Sequence, residues 1–387
     1  MADHLYDVAV IGAGPAGNIC AYLTAKAGLS TLVLEEHEGP GLFVNCTGIL
    51  GVEAFGRLNL PTEQILSSLQ AITFYAPSGR SFRYDPGRPL AHVVSRYQFD
   101  RALADLAQSE GVSYRFGYHA RFIRVDSHAV ELRQTEADQE PIAAKVAVIA
   151  TGFGSNLPLQ VGLQGPKAIL YGVQTEVEME ALKDVEIYLG RAVAPEAFAW
   201  VVPLSPGLAR VGLVVSKEAP RYFQGLLRHP SIRHRIKTLK PKMLLSPIPT
   251  EPIDRSYTDR VLVVGEAAGQ VKTTTQGGIY YGMLCAAMAA QTIQEAAKKG
   301  DFRAERLRGY ERAWVRAIGQ ELKAGLSLRQ LFSQLSDNQI DAMVELGSHD
   351  DILGLVKRLA QFDWHRDLIQ TSLQLPALRE VARAGLW

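Results

Sequence analysis

The chain has 387 residues, 47% hydrophobic and 21% charged, with 41 basic against 40 acidic side chains and a net charge of +1. That length supports a sizeable core in one large or two intertwined domains, and the balanced charge leaves no broad electrostatic footprint for nucleic acid. Cys20, Cys46 and Cys285 are scattered and odd in number, so neither a disulfide framework nor a metal site is expected, which suits a reducing cytoplasm.

The opening MADHLYDVAV lacks the basic and long apolar segments of a leader peptide. The longest uncharged apolar stretch elsewhere, residues 279–290, is shorter than the roughly 20 residues a bilayer span needs. A soluble, cytoplasmic protein is therefore expected, with peripheral membrane contact left open.

Residues 7–17 read DVAVIGAGPAG. Val8, Ala9, Val10 and Ile11 form a run suited to a strand buried on both faces. It enters a GxGxxG of Gly12, Gly14 and Gly17, with Pro15 and Ala16 opening a helix-like stretch that stops at Gly28. In this pattern the first glycine permits the tight turn, the second lets a pyrophosphate approach the backbone, and the third lets the helix pack on the strand. Residues 31–35 read as the next strand, and Glu35, eighteen residues beyond Gly17, is placed to accept hydrogen bonds from an adenosine ribose. Strand, turn, helix, strand and acid in this order predict a dinucleotide site.

Cys46 then lies in a loop, two residues before Gly48, followed by an amphipathic stretch at 52–58. A small buried hydrophobe and a reactive thiol are both open readings, and His37 is the only histidine close in sequence. Residues 70–84 alternate around Pro77-Ser78-Gly79 as a hairpin. SRYQFD at 95–100 opens a helix with Phe99, Leu103 and Leu106 on one face; Arg96 at its mouth is either a solvated charge or a phosphate and ribityl ligand.

Residues 112–125 and 129–134 read as strands, and KVAVIA at 145–150 as another buried strand ending in a turn with Gly152. From 156 to 253 prolines and short alternating runs predict a second, mostly antiparallel domain able to roof a cavity. Within it Phe198, Trp200 and Val202 share a strand face, either a core stripe or a cavity wall. The chain returns with RVLVV at 260–264, Gly265-Glu266, and then Gln276, Gly277, Gly278 and Ile279 opening a small-residue helix, a second cradle for a polar cofactor tail. Residues 301–387 read as C-terminal helices whose basic faces are either solvated or in contact with acidic lipid.

The expected fold is α/β. A Rossmann-type dinucleotide domain (1–60, 92–155 and 255–300) carries an inserted antiparallel-sheet substrate domain (61–91 and 156–254) and a C-terminal helical subdomain (301–387).

GAGPAG with Glu35, SRYQFD, and VVGEAAG with QGGI occur in an order that resembles the para-hydroxybenzoate hydroxylase type of flavoprotein. PEAFAWVVP and GEAAGQVKTTTQGGIYYG look most like the geranylgeranyl reductases, which saturate isoprenoid double bonds. The resemblance covers residues 5 to about 330 and implies FAD as cofactor. It would put Gly12, Gly14 and Gly17 on the pyrophosphate, Glu35 on the ribose, Arg96 on the FAD chain, Glu266 on the ribityl, and Gly277, Gly278 and Ile279 near the flavin ring. Phe198 and Trp200 would line a tunnel for a prenyl chain, with Cys46 facing the flavin.

Three departures bear on flavin placement. Glu266 stands where the family usually has aspartate, Thr273 where it has proline, and Gln276 where it has glycine. The rival enzyme reading is a flavin monooxygenase of aromatic hydroxylase type or a halogenase of the same fold, since the segment with Phe198, Trp200 and Pro203 also resembles the halogenase Trp-rich motif; halogenases of that kind use a lysine from the N-terminal half, and here none lies between Lys26 and Lys145. A non-catalytic flavin-binding protein is the alternative of another class. No second GxGxxG is present, so NAD(P)H would bind transiently as electron donor, with ferredoxin or another protein donor equally open. The isoprenoid or lipid substrate's identity and the oligomeric state are not legible.

Overall fold

The structure is a computed structural model that describes residues 5–137, 140–180, 182–237 and 243–383. The parts of the expected segments that fall at 1–4, 138–139, 181, 238–242 and 384–387 lie outside the described residues.

The strand Leu5–Ile11 is the centre of an eight-stranded sheet. Its parallel neighbours are Thr31–Leu34 on one side and Ile142–Ile149 on the other, with Val261–Val263 parallel beyond the latter. Residues 8–11, 32–34, 146–149 and 261–263 are apolar because both faces are covered there. Val8 and Val10 face one cluster, containing the helices Pro15–Lys26, Arg96–Ser109 and Ile279–Lys299; Ala9 and Ile11 face another, containing Val130, Leu132 and Leu157. Proline at the first turn of Pro15–Lys26 and Ser95 capping Arg96–Ser109 fix where the two helices begin.

The stretch expected as one strand at 112–125 is two, Ser113–Arg115 and Phe122–Val125. Gly117, at φ +66°, breaks it, and its N–H donates to the His37 carbonyl. The first piece can then pair with Thr31–Leu34 and the second with Val130–Arg133.

A second sheet of seven strands runs in the order 244–249, 169–178, 208–215, 199–205, 185–188, 72–75, 81–84. Its pairings are antiparallel except that between Val185–Tyr188 and Ile72–Tyr75. Alternation along Ala199–Ser205 divides its side chains between two faces. Ala199 and Val201 pack beneath the helix Ala219–Arg228 with Phe223 and Leu226, whereas Trp200, Val202 and Leu204 join Leu170 and Val214 on the other side. Trp200 lies flat across Gly212 of the neighbouring strand, where a Cβ would overlap the indole. A three-stranded sheet, Ile49–Gly51, Ala91–Val94 and Ile65–Leu69, bridges the two large ones.

The C-terminal helices bind both sheets. From the long helix Ala304–Gln334, the Tyr310 hydroxyl donates to the Val263 carbonyl and the Trp314 indole donates to Ser256 Oγ. From the helix Asp337–Gly347, Asp341 accepts from Ser78 in the hairpin of the second sheet. Among the described residues no helix is long and apolar enough to cross a membrane.

Candidate active site

A cavity of about 800 Å³ begins at the C-terminal end of the central strand and runs between the two large sheets. Its first part is built from backbone. Gly12 has φ +106°, and a Cβ there would overlap the Ala150 carbonyl. Gly14 starts the helix Pro15–Lys26 without a side-chain cap, so the first-turn N–H groups have no intrahelical partner, and a Cβ on Gly14 would meet only open space. Pro15, Ala16 and Gly152 complete this wall. Gly17 stands behind it: a Cβ there would collide with the Gly12 carbonyl, so Gly17 sets strand–helix packing and does not line the cavity.

Glu35 is held in place by its neighbours. One carboxylate oxygen accepts from the Ala13 N–H at 2.8 Å, and the other accepts from the His37 N–H and lies 2.6 Å from His37 Nδ1. An open glycine-walled helix start with a fixed acid on the adjacent strand fits a dinucleotide pyrophosphate and ribose.

The middle of the cavity carries charge. Arg96 pairs bidentately with Asp100, at 2.9 and 2.8 Å. Burial works against the guanidinium charge, but Asp100 and the Cys46 sulfur favour it, and the balance holds its pKa above the ordinary value. Packing around Glu266 pushes its carboxyl upward, partly offset by Arg96, while its surface faces the open cavity. A Cβ on Gly278 would lie 3.2 Å from Glu266 Oε1, and Gly277 and Ile279 continue the same wall. Gln276 holds a left-handed φ of +59°; its Nε2 donates to the Thr273 carbonyl while its Oε1 is buried without a partner. Thr273 does not line the cavity. Its hydroxyl donates to the Leu322 carbonyl, tying the loop to the C-terminal helices.

Sequence reading missed the residues that brace this loop. Lys272, inside the GEAAGQVKTTTQGGIYYG segment, lines the cavity and pairs at 2.7 Å with Asp363, with exposures of 6% and 2%. It also lies 4.7 Å from the centre of the Phe362 ring, and the Asp363 carbonyl accepts from Tyr281. His365 Nδ1 stands 2.7 Å from Thr274 Oγ1 and Nε2 stands 2.9 Å from the Phe362 carbonyl. A neutral ring with its proton on Nε2 satisfies both contacts. Burial, then the Lys272 charge, lowers its pKa to about 4.

Cys46 stands on the wall between this loop and the second sheet, and the Gly48 N–H points at its sulfur. Its loop is pinned from the second sheet. Arg210, itself paired with Glu176, donates to the Cys46 and Thr47 carbonyls; Gln174 Oε1 accepts from the Thr47 hydroxyl; and Asn45 donates to Ser246. Cys20 and Cys285 are buried in the core, where desolvation raises the Cys20 thiol to about 12 and the Cys285 thiol above its ordinary range.

Beyond Cys46 the cavity becomes an apolar channel. Phe198 and Trp200 stand 5.8 Å apart on one wall, with Leu170, Ile187, Val202 and Ile248 around them. Leu328, Phe332 and Met343 of the C-terminal helices close another side.

Residues 6–188 match the pyridine nucleotide-disulphide oxidoreductase family. The digeranylgeranylglycerophospholipid reductase of Methanocaldococcus jannaschii is 32% identical, over 92% of this chain and 94% of its own. A second protein of that name from Methanopyrus kandleri is 28% identical, over 91% and 93%. Among solved structures, a geranylgeranyl bacteriochlorophyll reductase-like protein from Thermoplasma acidophilum superposes with a TM-score of 0.87 at 22% identity, covering 98% of both chains. A mutant of the halogenase PltM in complex with FAD is more distant, with a TM-score of 0.72 at 16% identity over 98% of this chain and 94% of that one. By relationship and architecture, the chain belongs to the geranylgeranyl reductase family of FAD-dependent oxidoreductases.

Proposed function

We propose that the chain reduces C=C bonds of a geranylgeranyl-type chain, with FAD along the glycine cradle and the isoprenoid in the apolar channel. The carrying observation is continuity: one cavity joins the Gly12–Gly14 helix start to the Phe198 and Trp200 wall, with Cys46 between them. The names of the relatives support the substrate class.

In this reading Gly12, Gly14 and the first turn of Pro15–Lys26 hold the pyrophosphate, Glu35 the ribose, and Arg96 and Glu266 the chain between. Gly277, Gly278 and Ile279 border the ring, with Gln276 beside it. Bound and reduced, FAD supplies a hydride equivalent, a chemistry no side chain offers. The protein's share is to exclude water and hold the alkene close, which the apolar walls do. Each CH₂ withdrawn from water favours binding by about 0.8 kcal/mol. Cys46 Sγ is the proposed holder of the proton for the second carbon, its loop fixed by Arg210.

The electron donor in this reading is either transient NAD(P)H or a reduced protein. Lys272, the lysine on the wall, is committed to Asp363, which favours reduction over the halogenase alternative.

The test is anaerobic. Chemically reduced protein is given a geranylgeranyl compound, and the product is weighed by mass spectrometry. A gain of two hydrogens per bond is expected; unchanged substrate beside a reduced bound flavin would refute the reading.

A further inference from the structure

Charge that is balanced over the whole chain is concentrated along one edge of the second sheet. Residues 217–237 hold six Lys or Arg and a single acid, Glu218, against 41 and 40 overall. Arg221, Arg235 and Lys237 are paired with Glu218, Glu186 and Glu180. Arg228, at the end of the helix Ala219–Arg228, and Arg233 are exposed and have no carboxylate partner among the described residues. The backbone then follows the outer side of the strand Ile169–Glu178: the Glu180 N–H donates to the Arg235 carbonyl, and the Lys237 N–H donates to the Glu178 carbonyl. The strand Leu244–Pro249 lies on that same side and is the last of the sheet.

Where that strand starts stand Met243, Leu244 and Leu245, the only consecutive run of exposed large apolar side chains among the described residues. Alternation sends Leu244 and Leu245 to opposite faces. Leu245, 51% exposed, is opposite Val173 on the face that the helix Ala219–Arg228 covers, whereas Leu244 is opposite Gln174 on the cavity side. Two residues on from Leu244, Ser246 enters the cavity wall and accepts a hydrogen bond from Asn45. Phe43 is on the loop that this bond fastens. It lines the cavity yet is 88% exposed, and it holds a left-handed φ of +57°, a conformation that costs free energy. An exposed aromatic and an apolar strand end thus flank the cavity opening, and a basic edge runs on from them.

Pro247 and Pro249 remove N–H groups from this edge strand, which disfavours addition of a further strand from a second copy or another protein. Apolar side chains bordered by unpaired arginines match an anionic bilayer, whose headgroups meet the charge while the acyl boundary takes up Phe43, Leu244 and Leu245. We propose that this edge docks on an anionic membrane surface and turns the cavity opening toward the acyl layer. The docking goes beyond the reductase reading, because it concerns how the cavity is presented and not what reacts inside it.

The full-length, flavin-loaded protein is sedimented with phosphatidylcholine vesicles made with and without phosphatidylglycerol. Wild type is expected to bind the anionic vesicles, less so at raised salt. Arg228→Glu with Arg233→Glu should lower that binding on the order of tenfold or more. Leu244→Ser with Leu245→Ser should lower it by a similar factor. Both double variants should keep the wild-type flavin-to-protein absorbance ratio, which reports an intact fold. Lys357→Glu with Arg358→Glu, on the exposed face of a C-terminal helix, should bind as wild type does.

No binding by wild type, binding indifferent to both edge variants, or an equal loss in the C-terminal variant would overturn the proposal. Light scattering adds the remaining outcome: a dimer that both edge variants abolish, without vesicle binding, would assign the edge to a second copy and refute membrane docking. Vesicle binding is read without turnover, so it can fail while reduction stands and hold while reduction fails.

Discussion

The two ends of the cavity are built by different means. The dinucleotide end is backbone: Gly12 in its left-handed turn, Gly14 at an uncapped helix start, and one acid tethered to the Ala13 N–H. These pieces come from about thirty consecutive residues, the reach of a βαβ unit, with Gly152 closing the wall from the neighbouring strand's end. The substrate end is side chains, drawn from the second sheet, the Cys46 loop and helices more than 300 residues from the chain start. The first needs particular residues because φ and close approach admit no substitute; the second needs only apolar volume and a few anchors. Substitutions should therefore act sharply at one end and gradually at the other.

The largest effect is expected from Gly12→Val. The branched side chain has no room against the Ala150 carbonyl and cannot hold φ +106° without strain. Purified protein should carry no flavin, as read from the flavin-to-protein absorbance ratio; a normal ratio would mean that the turn does not form the cradle.

Next is the pair that bridges the ends. Asp363→Ala leaves Lys272 buried and unpartnered, which should cost roughly 3–5 kcal/mol in denaturant unfolding. The double variant Lys272→Met with Asp363→Leu should recover much of that loss. A single-variant cost below about 1 kcal/mol would show that the C-terminal segment does not brace the flavin loop.

His365 gives this brace a pH dependence. Its pKa is lowered to about 4 from an ordinary 6.5, so the folded state binds fewer protons than the unfolded state. Its contribution to stability is thus present above pH 6.5 and lost as pH falls toward 4, up to about 3 kcal/mol and less to the extent that water reaches the ring. Unfolding free energies of wild type and His365→Gln across this window should converge as pH falls; parallel curves would contradict the assignment.

The smallest effects concern two of the three departures from the family pattern, Thr273 and Gln276. Thr273→Ala should cost about 1 kcal/mol, one hydrogen bond, with flavin content unchanged because the side chain faces the helices. Gln276→Gly should stabilise by about 1 kcal/mol through relief of its left-handed backbone. Lost flavin in the first case or lost stability in the second would reverse these readings.

The same division explains what was legible in the sequence. Gly12, Gly14, Glu35 and the strand Leu5–Ile11 could be read because local chain geometry and two-sided burial restrict residue choice directly. Phe198 and Trp200 could be placed on one face by alternation, but not assigned to a cavity, since a core stripe gives the same pattern. Asp363 gave no signal, because a single charge in a helix-rich segment is ordinarily solvated; only tertiary packing buries it beside Lys272. Lys272 lay within a recognised segment but went unread because its partner is 91 residues away. The break at Gly117 was hidden inside a continuous apolar-polar alternation.

The central claim is that flavin cradle and prenyl channel are separable halves of one cavity. Ile187→Trp tests it most directly, adding bulk to the channel wall where Ile187 pairs in register with Trp200. The measurement is anaerobic reoxidation of the bound, reduced flavin by a geranylgeranyl chain, followed by absorbance. We predict full flavin content with reoxidation slowed by on the order of a hundredfold. Wild-type reoxidation in a protein with an intact flavin would show that the chain does not pass through this channel.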